Sequence, residues 1–397
     1  MQTYNLFAAT TDAERLAMYA RMRSEPGLCR IEPFGAFAAT RYADAAAILK
    51  DPEVFSSEAL TVAAEPPWLG GPNPVAHSII SKDPPKHGRL RALIQRAFGP
   101  ASMARLEARV RDVSERLAEA AVRQGTVDLV EHFTLAQPRD IIGHMLGLDP
   151  STYGSFRRWA HGIALVTNAT TPEQQDDVRS VVREMTRYLN DVIQARRRQP
   201  GDDMVSELVQ ATDADGHQLT DAEVLSFLFL LLPAGMETTM SLLGNALVLL
   251  SRFPEQLEQA RADKNHLPKF IEEVMRFDSP TPVSFRLAMK DAELSGTHIP
   301  AGSLVMGLIG SANWDERVFE QPERFLPGRP RGNQHLSFGY GIHFCVGAQL
   351  ARMEARLGLE ALVSRVKKLR LTTPEVQWAP GLSMHGPAVL PMELEAA

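Results

Sequence analysis

Cys345 is the residue best placed in this chain to do chemistry. It stands in Phe338-Gly339-Tyr340-Gly341-Ile342-His343-Phe344-Cys345-Val346-Gly347, a run crowded with aromatic rings and glycines. Such a run reads as a tight loop, and the apolar positions Leu350, Met353, Leu357 and Leu362 beyond it read as a helix. Cys345 then lies at a helix N-terminus, where N–H groups and the helix dipole favour an anion and lower the thiol pKa. Three chemistries suit a lone cysteine there: a buried structural thiol, a thiolate ligand to haem iron, or a nucleophile. Zinc fits poorly, because His343, two residues away, is the wrong kind of partner for a tetrahedral site.

A second set lies in the apolar run Val224 to Ser251, whose single charge is Glu237. At its middle stands Ala234-Gly235-Met236-Glu237-Thr238-Thr239. The small residues let a flat ligand approach the helix backbone, and an acid beside a hydroxyl can relay protons into a dry pocket. The other reading is that Thr238 back-bonds a carbonyl of its own helix while Glu237 pairs with a base elsewhere. Pro233 removes the N–H that would bond the carbonyl of Phe229, so a kink or widening is expected. A carboxylate at mid-bilayer costs ~2.5–3.5 kcal/mol, so the run reads as a buried core helix rather than a membrane span.

His87 and Arg91 are i, i+4 neighbours and can reach one anionic group. The preceding Asp83-Pro84-Pro85 reads as a helix start, with an N-cap acid and prolines in the first turn. Glu273-Val274-Met275-Arg276 sets an acid and a base on one helix face. Alone, that pair says little, since most such pairs are solvated surface bridges.

Together these segments resemble the cytochrome P450 family of haem-thiolate monooxygenases. The Cys345 loop is similar to that family's Phe-x-x-Gly-x-His/Arg-x-Cys-x-Gly haem loop at every fixed position. Ala234 to Thr239 resembles its oxygen-activation motif, and Glu273 to Arg276 its ExxR helix, with Arg324 as the implied third member of a structural ion network. The resemblance implies a mainly α fold, a helical prism around a buried haem b with a small β-rich part, spanning residues 1–397 as a single catalytic domain. It implies Cys345 as the thiolate ligand of the iron, Gly347 as a cofactor-binding residue, and Glu237 with Thr238 as the proton-delivery pair. Ala234 would lie against the haem, and His87, Arg91, Arg286, His335 and His343 at its propionates. The implied reaction inserts one atom of O2 into a C–H or C=C bond of a hydrophobic small molecule.

The elements that must position these residues are legible more coarsely. Helical patterns cover 12–24, 42–50, 101–124, 129–147, 151–166, 174–198, 203–211, 221–250 and 254–277, with a hairpin at 28–40. Extended pieces fall at 284–307 and 370–396. Residues 61–80, rich in Pro and Gly, read as a long irregular loop able to act as a lid.

The 397 residues carry 42 Lys and Arg against 48 Asp and Glu, a net charge of −6. That excludes general nucleic-acid binding. Two cysteines, Cys29 and Cys345, make no disulfide framework and fit a reducing cytoplasm. The N-terminus lacks the pattern of a signal peptide. Taken with these features, the resemblance implies a soluble, monomeric bacterial enzyme of a secondary-metabolism kind, with electrons from a separate ferredoxin or flavodoxin. Arg96, Arg105, Arg109, Arg352 and Arg356 are the expected docking patch for that partner. The substrate pocket is expected to be lined by Leu230, Pro233, Ala234, Thr281, Pro282, Val283 and Met384. Trp68 and Leu69 would form its lid and 153–180 its far wall. The apolar lining implies a terpenoid, steroid or macrolide-like substrate.

A cysteine hydrolase is the principal competing class, but it explains neither the aromatic–Gly loop nor the acid–Thr helix. A haem carrier without turnover has no use for Glu237–Thr238, and peroxide-driven relatives replace that pair.

Overall fold

Side-chain caps set where the long helices begin. A computed structural model describes residues 1–61, 64–166, 171–213 and 215–397. Thr11, Thr171 and Thr220 each close a capping box, with Glu14, Gln174 and Glu223 respectively. These start α1 (Asp12–Ser24), α7 (Pro172–Arg198) and α9 (Asp221–Arg252). The other helices are α2 (Tyr42–Lys50), α3 (Lys86–Arg96), α4 (Pro100–Gln124), α5 (Ala136–Met145), α6 (Phe156–Ala164), α8 (Met204–Gln210), α10 (Pro254–Ala262), α11 (His266–Phe277), α12 (Ile309–Ala312) and α13 (Ala348–Val363).

α9 is the axis of the molecule. It buries apolar side chains around most of its circumference, including Phe227, Phe229, Leu232, Leu243, Leu247 and Val248. A helix apolar all round belongs in a core, and each such side chain contributes ~1.5–3 kcal/mol by leaving water. It packs against α5, α6, α7, α11 and α13, and α13 packs in turn along α4. α9 is also long and apolar enough to cross a bilayer, but 56% of its most apolar window is buried inside the protein.

The β part lies beside this helical body. β1 (Thr3–Asn5), β2 (Cys29–Glu32), β3 (Ala36–Ala39), β4 (Phe55–Ser56), β6 (Ser284–Ala288) and β9 (Leu304–Gly307) form one sheet in the order β1-β2-β3-β9-β6-β4. β2 and β3 are the expected hairpin, pairing Cys29 with Ala38. β6 and β9 pair Arg286 with Val305, which fixes Arg286 in a buried position. β10 (Val366–Leu371), β13 (Pro391–Ala396) and β5 (Thr126–Asp128) form a second sheet. Two small pairs complete the β part: β7 (Ala292–Leu294) with β8 (Thr297–Ile299), and β11 (Gln377–Trp378) with β12 (Pro387–Val389).

Several local expectations are corrected. The segment 254–277 is two helices, because the Asp263 side chain accepts from Asn265 N–H and ends the first, while Pro268 sits in the opening turn of the second. The segments 129–147 and 151–166 each begin with a differently wound turn, a π turn at Val130–Thr134 and a 3-10 turn at Pro150–Ser155. Described parts of 61–80 form 3-10 turns at Pro67–Leu69 and Pro74–His77, followed by one at Ile79–Ser81; residues 62–63 lie outside the described set. Asp83 does not cap its own helix. Its carboxylate turns back to accept from Ser56 Oγ and from the N–H groups of Ser57 and Glu58. α9 itself runs unbroken as α-helix through Pro233.

Candidate active site

The loop before α13 is held by its own backbone. Gly339 and Gly341 have φ of 76° and 70°, conformations that side chains disfavour. A Cβ on Gly341 would stand 2.8 Å from the carbonyl oxygen of Leu49, so the loop presses directly on the end of α2. Cys345 N–H donates to Phe338 O at 2.8 Å. This fold-back leaves Cys345 Sγ opening into an internal cavity of about 520 Å³. Burial pushes the thiol pKa up, against the Gly347 N–H and the charges of Arg91 and Arg352, which pull it down. The lowering expected from the helix N-terminus alone is therefore outweighed by burial. The thiolate needs a positive partner inside the cavity.

Four cationic or N–H-bearing groups line that same cavity: His87, Arg91, Arg286 and His343. The rings of His87 and His343 lie edge to face, 4.6 Å between centroids. The Nε2 atoms of both are buried without a hydrogen-bond partner among the described residues. Burial lowers the pKa of each. For His343, Arg286 and His87 add to the effect and bring it to about 3. Arg91 donates to Phe344 O at 2.7 Å, and Arg286 to Phe285 O at 2.7 Å and Ser284 Oγ at 2.9 Å, so neither meets a carboxylate. Orphaned donors and unneutralised guanidinium groups around one thiol fit a cofactor that carries both a metal and anionic arms. Haem, with an iron and two propionates, is such a group. Its residues here would be Cys345 at the iron and His87, Arg91, Arg286 and His343 at the propionates.

His335 does not join them. It is buried behind the loop, Nε2 3.4 Å from Glu272 Oε2 and Nδ1 accepting from Ser337 N–H. Glu272 also holds Arg352, at 2.7 Å, and Arg352 lies over the Phe338 ring at 4.4 Å. His335 thus sits behind the loop against α11, off the cavity wall, its Nε2 in ion-pair reach of Glu272 but without a hydrogen bond among the described residues.

On the α9 side, Ala234, Gly235, Thr238 and Thr239 line the cavity. Thr238 Oγ donates to Ala234 O at 2.5 Å. Its oxygen keeps lone pairs for a ligand. Glu237 is half-buried and has no hydrogen-bond or ion-pair partner among the described residues; burial raises its pKa.

The ion network under the loop differs from expectation in one member. Arg276 makes a two-point contact with Glu273, Nε at 3.0 Å and Nη2 at 2.9 Å. The third member is Arg329, with Nε 2.8 Å from Glu273 Oε2. Arg324 points instead to Gln321 and contributes only its carbonyl, which accepts from Arg276 and Arg329. The signal for Arg329 was its setting between Gly328 and Pro330, where a backbone turn can aim it inward.

Of the expected pocket residues, Leu230, Ala234, Thr281 and Val283 lie on the cavity wall. Pro233, Pro282, Trp68, Leu69 and Met384 do not. Pro282 packs on α12, where its carbonyl accepts from Gly310 N–H. Leu69 is buried in the core, and the carbonyl of Trp68 accepts from Arg179. No lining residue comes from the described part of 153–180; residues 167–170 of that segment lie outside the described set. The wall is completed by Ile79, Ile80, Phe98, Ile142, Phe227 and Leu231, and by Glu354 of α13.

A cysteine loop, a cationic cradle and an acid–alcohol helix around one cavity define a haem-thiolate oxygenase. The chain belongs to the cytochrome P450 family: the family model "Cytochrome P450" matches residues 163–377. Over 390 residues it is 34% identical to 6-deoxyerythronolide B hydroxylase of Saccharopolyspora erythraea, covering 95% of each chain. The structure of cytochrome P450 CYP109Q5 from Chondromyces apiculatus superposes with a TM-score of 0.91 at 37% identity, over 100% of this chain and 99% of that one. CYP109E1 from Bacillus megaterium, solved with testosterone, gives 0.85 at 31%, over 96% and 99%. The protein is a cytochrome P450 monooxygenase with a cysteine-ligated haem, acting on a small molecule with O2 and electrons from a redox partner.

Proposed function

We propose that this monooxygenase oxidises a neutral, apolar molecule of terpenoid, steroid or macrolide-like kind. The observation that carries the reading is the composition of the cavity wall. Outside Cys345, the cationic cradle and the one acid Glu354, its side chains are apolar or hydroxyl-bearing, with Leu230, Phe227, Ile142 and Val283 prominent. A wall of this kind offers a substrate burial and shape rather than a charge to bind. The relative named 6-deoxyerythronolide B hydroxylase and the one solved with testosterone support the same class.

Haem with a thiolate ligand supplies electron-rich iron that favours O–O cleavage. The chain's own groups do the rest. His87, Arg91, Arg286 and His343 hold the propionates. Ala234 would leave room for the cofactor against the helix, while Gly235 makes room for Ile142 of α5, whose Cδ1 would stand 2.9 Å from a Cβ there. Thr238, which gives its own hydroxyl hydrogen to Ala234 O, would accept a hydrogen bond from the ligand side, and Glu237, its pKa raised by burial, would be the neighbouring proton donor. The enzyme works as a single-domain monomer in the cytoplasm, with a separate ferredoxin or flavodoxin as electron donor.

Spectral titration of the haem-loaded protein tests the substrate class. Steroids and macrolide aglycones are expected to shift the iron spin state at micromolar concentration. Shifts produced only by small carboxylates or amines would overturn the reading. Loss of the thiolate-type carbon monoxide band in Cys345→Ser is expected alongside.

A further inference from the structure

One hydroxyl on the cavity wall is buried with nothing to bond. Ser57 lines the cavity, is 5% exposed, and its Oγ has no hydrogen-bond partner among the described residues. A hydroxyl can give one hydrogen bond and accept two, and leaving it unpaired in the interior is costly. Its backbone, in contrast, is fixed. The Asp83 carboxylate accepts from the N–H groups of Ser57 and Glu58, at 3.2 Å each, and from Ser56 Oγ. Asp83 also acts electrostatically on Arg286, His87 and His343, so the acid that holds Ser57 lies among the cationic groups of the cavity. The strand register places Ser57 more closely. β4 and β6 run antiparallel and pair Phe55 with Ala288 and Ser56 with Leu287. One step further along that register, Ser57 comes opposite Arg286. Residues opposite each other in such a ladder share one face, with Cβ atoms about 4.5–5.5 Å apart. Arg286 turns Nη1 to Ser284 Oγ and Phe285 O and leaves Ser57 Oγ alone.

We propose that Ser57 is a fifth contact of the haem propionates, donating its hydroxyl hydrogen to the arm that Arg286 holds. The inference rests on the reading of His87, Arg91, Arg286 and His343 as the propionate cradle. An orphaned donor beside a guanidinium group that meets no carboxylate calls for an anionic oxygen that both can reach. A carboxylate offers about four lone-pair sites, so one arm can take the hydroxyl and the guanidinium together. Hydrogen bonds to an ionised acceptor are short and about twice as strong as neutral ones. A donor at this place also offsets the repulsion that nearby Asp83 exerts on an incoming propionate. The three bonds to Asp83 give the site its precision: Ser57 is held by its backbone, and its side chain is left free for the cofactor.

Haem transfer from the loaded protein to excess apomyoglobin tests this without any turnover. Ser57→Ala is expected to release native haem about tenfold faster than the parent. Loading the protein with haems that lack one propionate or the other separates a direct contact from a packing role. The effect of Ser57→Ala is expected to vanish with one of the two one-armed haems, the same one that abolishes the effect of Arg286→Gln, and to persist with the other. The propionate bending band in resonance Raman spectra of native haem is expected to shift in Ser57→Ala as well. Parental release from Ser57→Ala, while Arg286→Gln speeds it, would overturn the inference and leave the cradle standing. An equal effect of Ser57→Ala with all three haems would mark a packing role and overturn it too. So would parental release combined with a weaker spin-state response to hydroxylated steroids alone, which would give the hydroxyl to the substrate. Parental release from both Arg286→Gln and His87→Phe would bring down the cradle reading itself, and the inference with it.

Discussion

Arg329 Nε sits 2.8 Å from Glu273 Oε2, while Arg324, five residues earlier, reaches the same acid with neither nitrogen nor charge. Glu273 and Arg276 are almost fully buried, at 1% and 0% exposure. Glu273 is therefore shared between two guanidinium groups inside the protein, and its Oε1 also accepts from Leu326 N–H at 2.9 Å. Removing a member of such a cluster leaves buried charge uncompensated, which costs about 3–5 kcal/mol. Arg329→Ala is expected to show that loss in urea unfolding, together with poor haem loading. Arg324→Ala, which loses only a surface contact, is expected within about 0.5 kcal/mol of the parent. Equal midpoints for the two variants would refute the assignment.

Asp278 governs the acid limit of the fold. It is buried where α11 ends, and burial would raise its pKa; His385 at 2.9 Å and Arg15 at 3.1 Å overcome that and hold it at about 2. His385 is stacked on Trp378 at 4.3 Å, and its carbonyl accepts from Asn245 of α9. The site thus ties α1, α9, α11 and the C-terminal turn together. A carboxylate depressed in the folded state adds stability that is complete above its unfolded pKa near 4 and is lost as pH falls towards 2. The shift corresponds to about 2–3 kcal/mol. Unfolding free energy measured from pH 6 to pH 2 is expected to fall less steeply in Asp278→Asn between pH 4 and 2, from a lower starting value. Parallel profiles in parent and variant would exclude this role.

The chemistry was legible wherever it is local in sequence. The Cys345 loop, the Ala234 to Thr239 turn of α9 and the pair Glu273–Arg276 are each contiguous, so residue type and spacing suffice. The helices were legible for the same reason: their caps and apolar periods are local. What could not be read depends on distant packing. Choosing between Arg324 and Arg329 needs the turn at Gly328, and freeing His335 from the cavity needs Glu272 from α11. Glu354 looks like any polar residue in a helix pattern, and only the position of Gln137, 217 residues away, shows it to be buried. The pocket lining failed most, at Trp68, Pro282 and Met384. Which face of a loop turns inward is decided by contacts such as Arg179 on the carbonyl of Trp68.

That contact should limit entry to the cavity. Arg179 Nη1 donates to Trp68 O at 2.7 Å, joining α7 to the segment whose end, Ile79 to Ser81, lies on the wall. A partly exposed hydrogen bond from a charged group contributes about 1 kcal/mol, or roughly fivefold in an opening equilibrium. Arg179→Ala is expected to speed both binding and release of imidazole by about that factor in stopped-flow absorbance, leaving the equilibrium affinity nearly unchanged. Rates equal to the parent's would show that entry lies elsewhere.

The expected docking patch separates into charges already paired and charges still available. Arg352 is held by Glu272, Arg356 by Glu107 at 3.1 Å, and Arg105 by Glu207. Among the described residues Arg109 has one carboxylate partner, the exposed Asp112 at 3.3 Å, and Arg96 bonds the carbonyl of Thr212 without meeting a carboxylate. An acidic electron donor would therefore sense Arg96 and Arg109 most strongly. Reversing an exposed charge changes the association rate at low salt and loses its effect as the Debye length shrinks to about 3 Å at 1 M. Arg96→Glu and Arg109→Glu are expected to slow ferredoxin-driven turnover severalfold at low ionic strength and to converge with the parent at high ionic strength. Arg352→Glu is a poorer probe, because it also breaks the Glu272 bridge that braces His335 and Phe338. Its loss of turnover should persist in high salt and be accompanied by a changed carbon monoxide spectrum. Salt profiles for Arg96→Glu and Arg109→Glu that match the parent throughout would place the electron donor on another face.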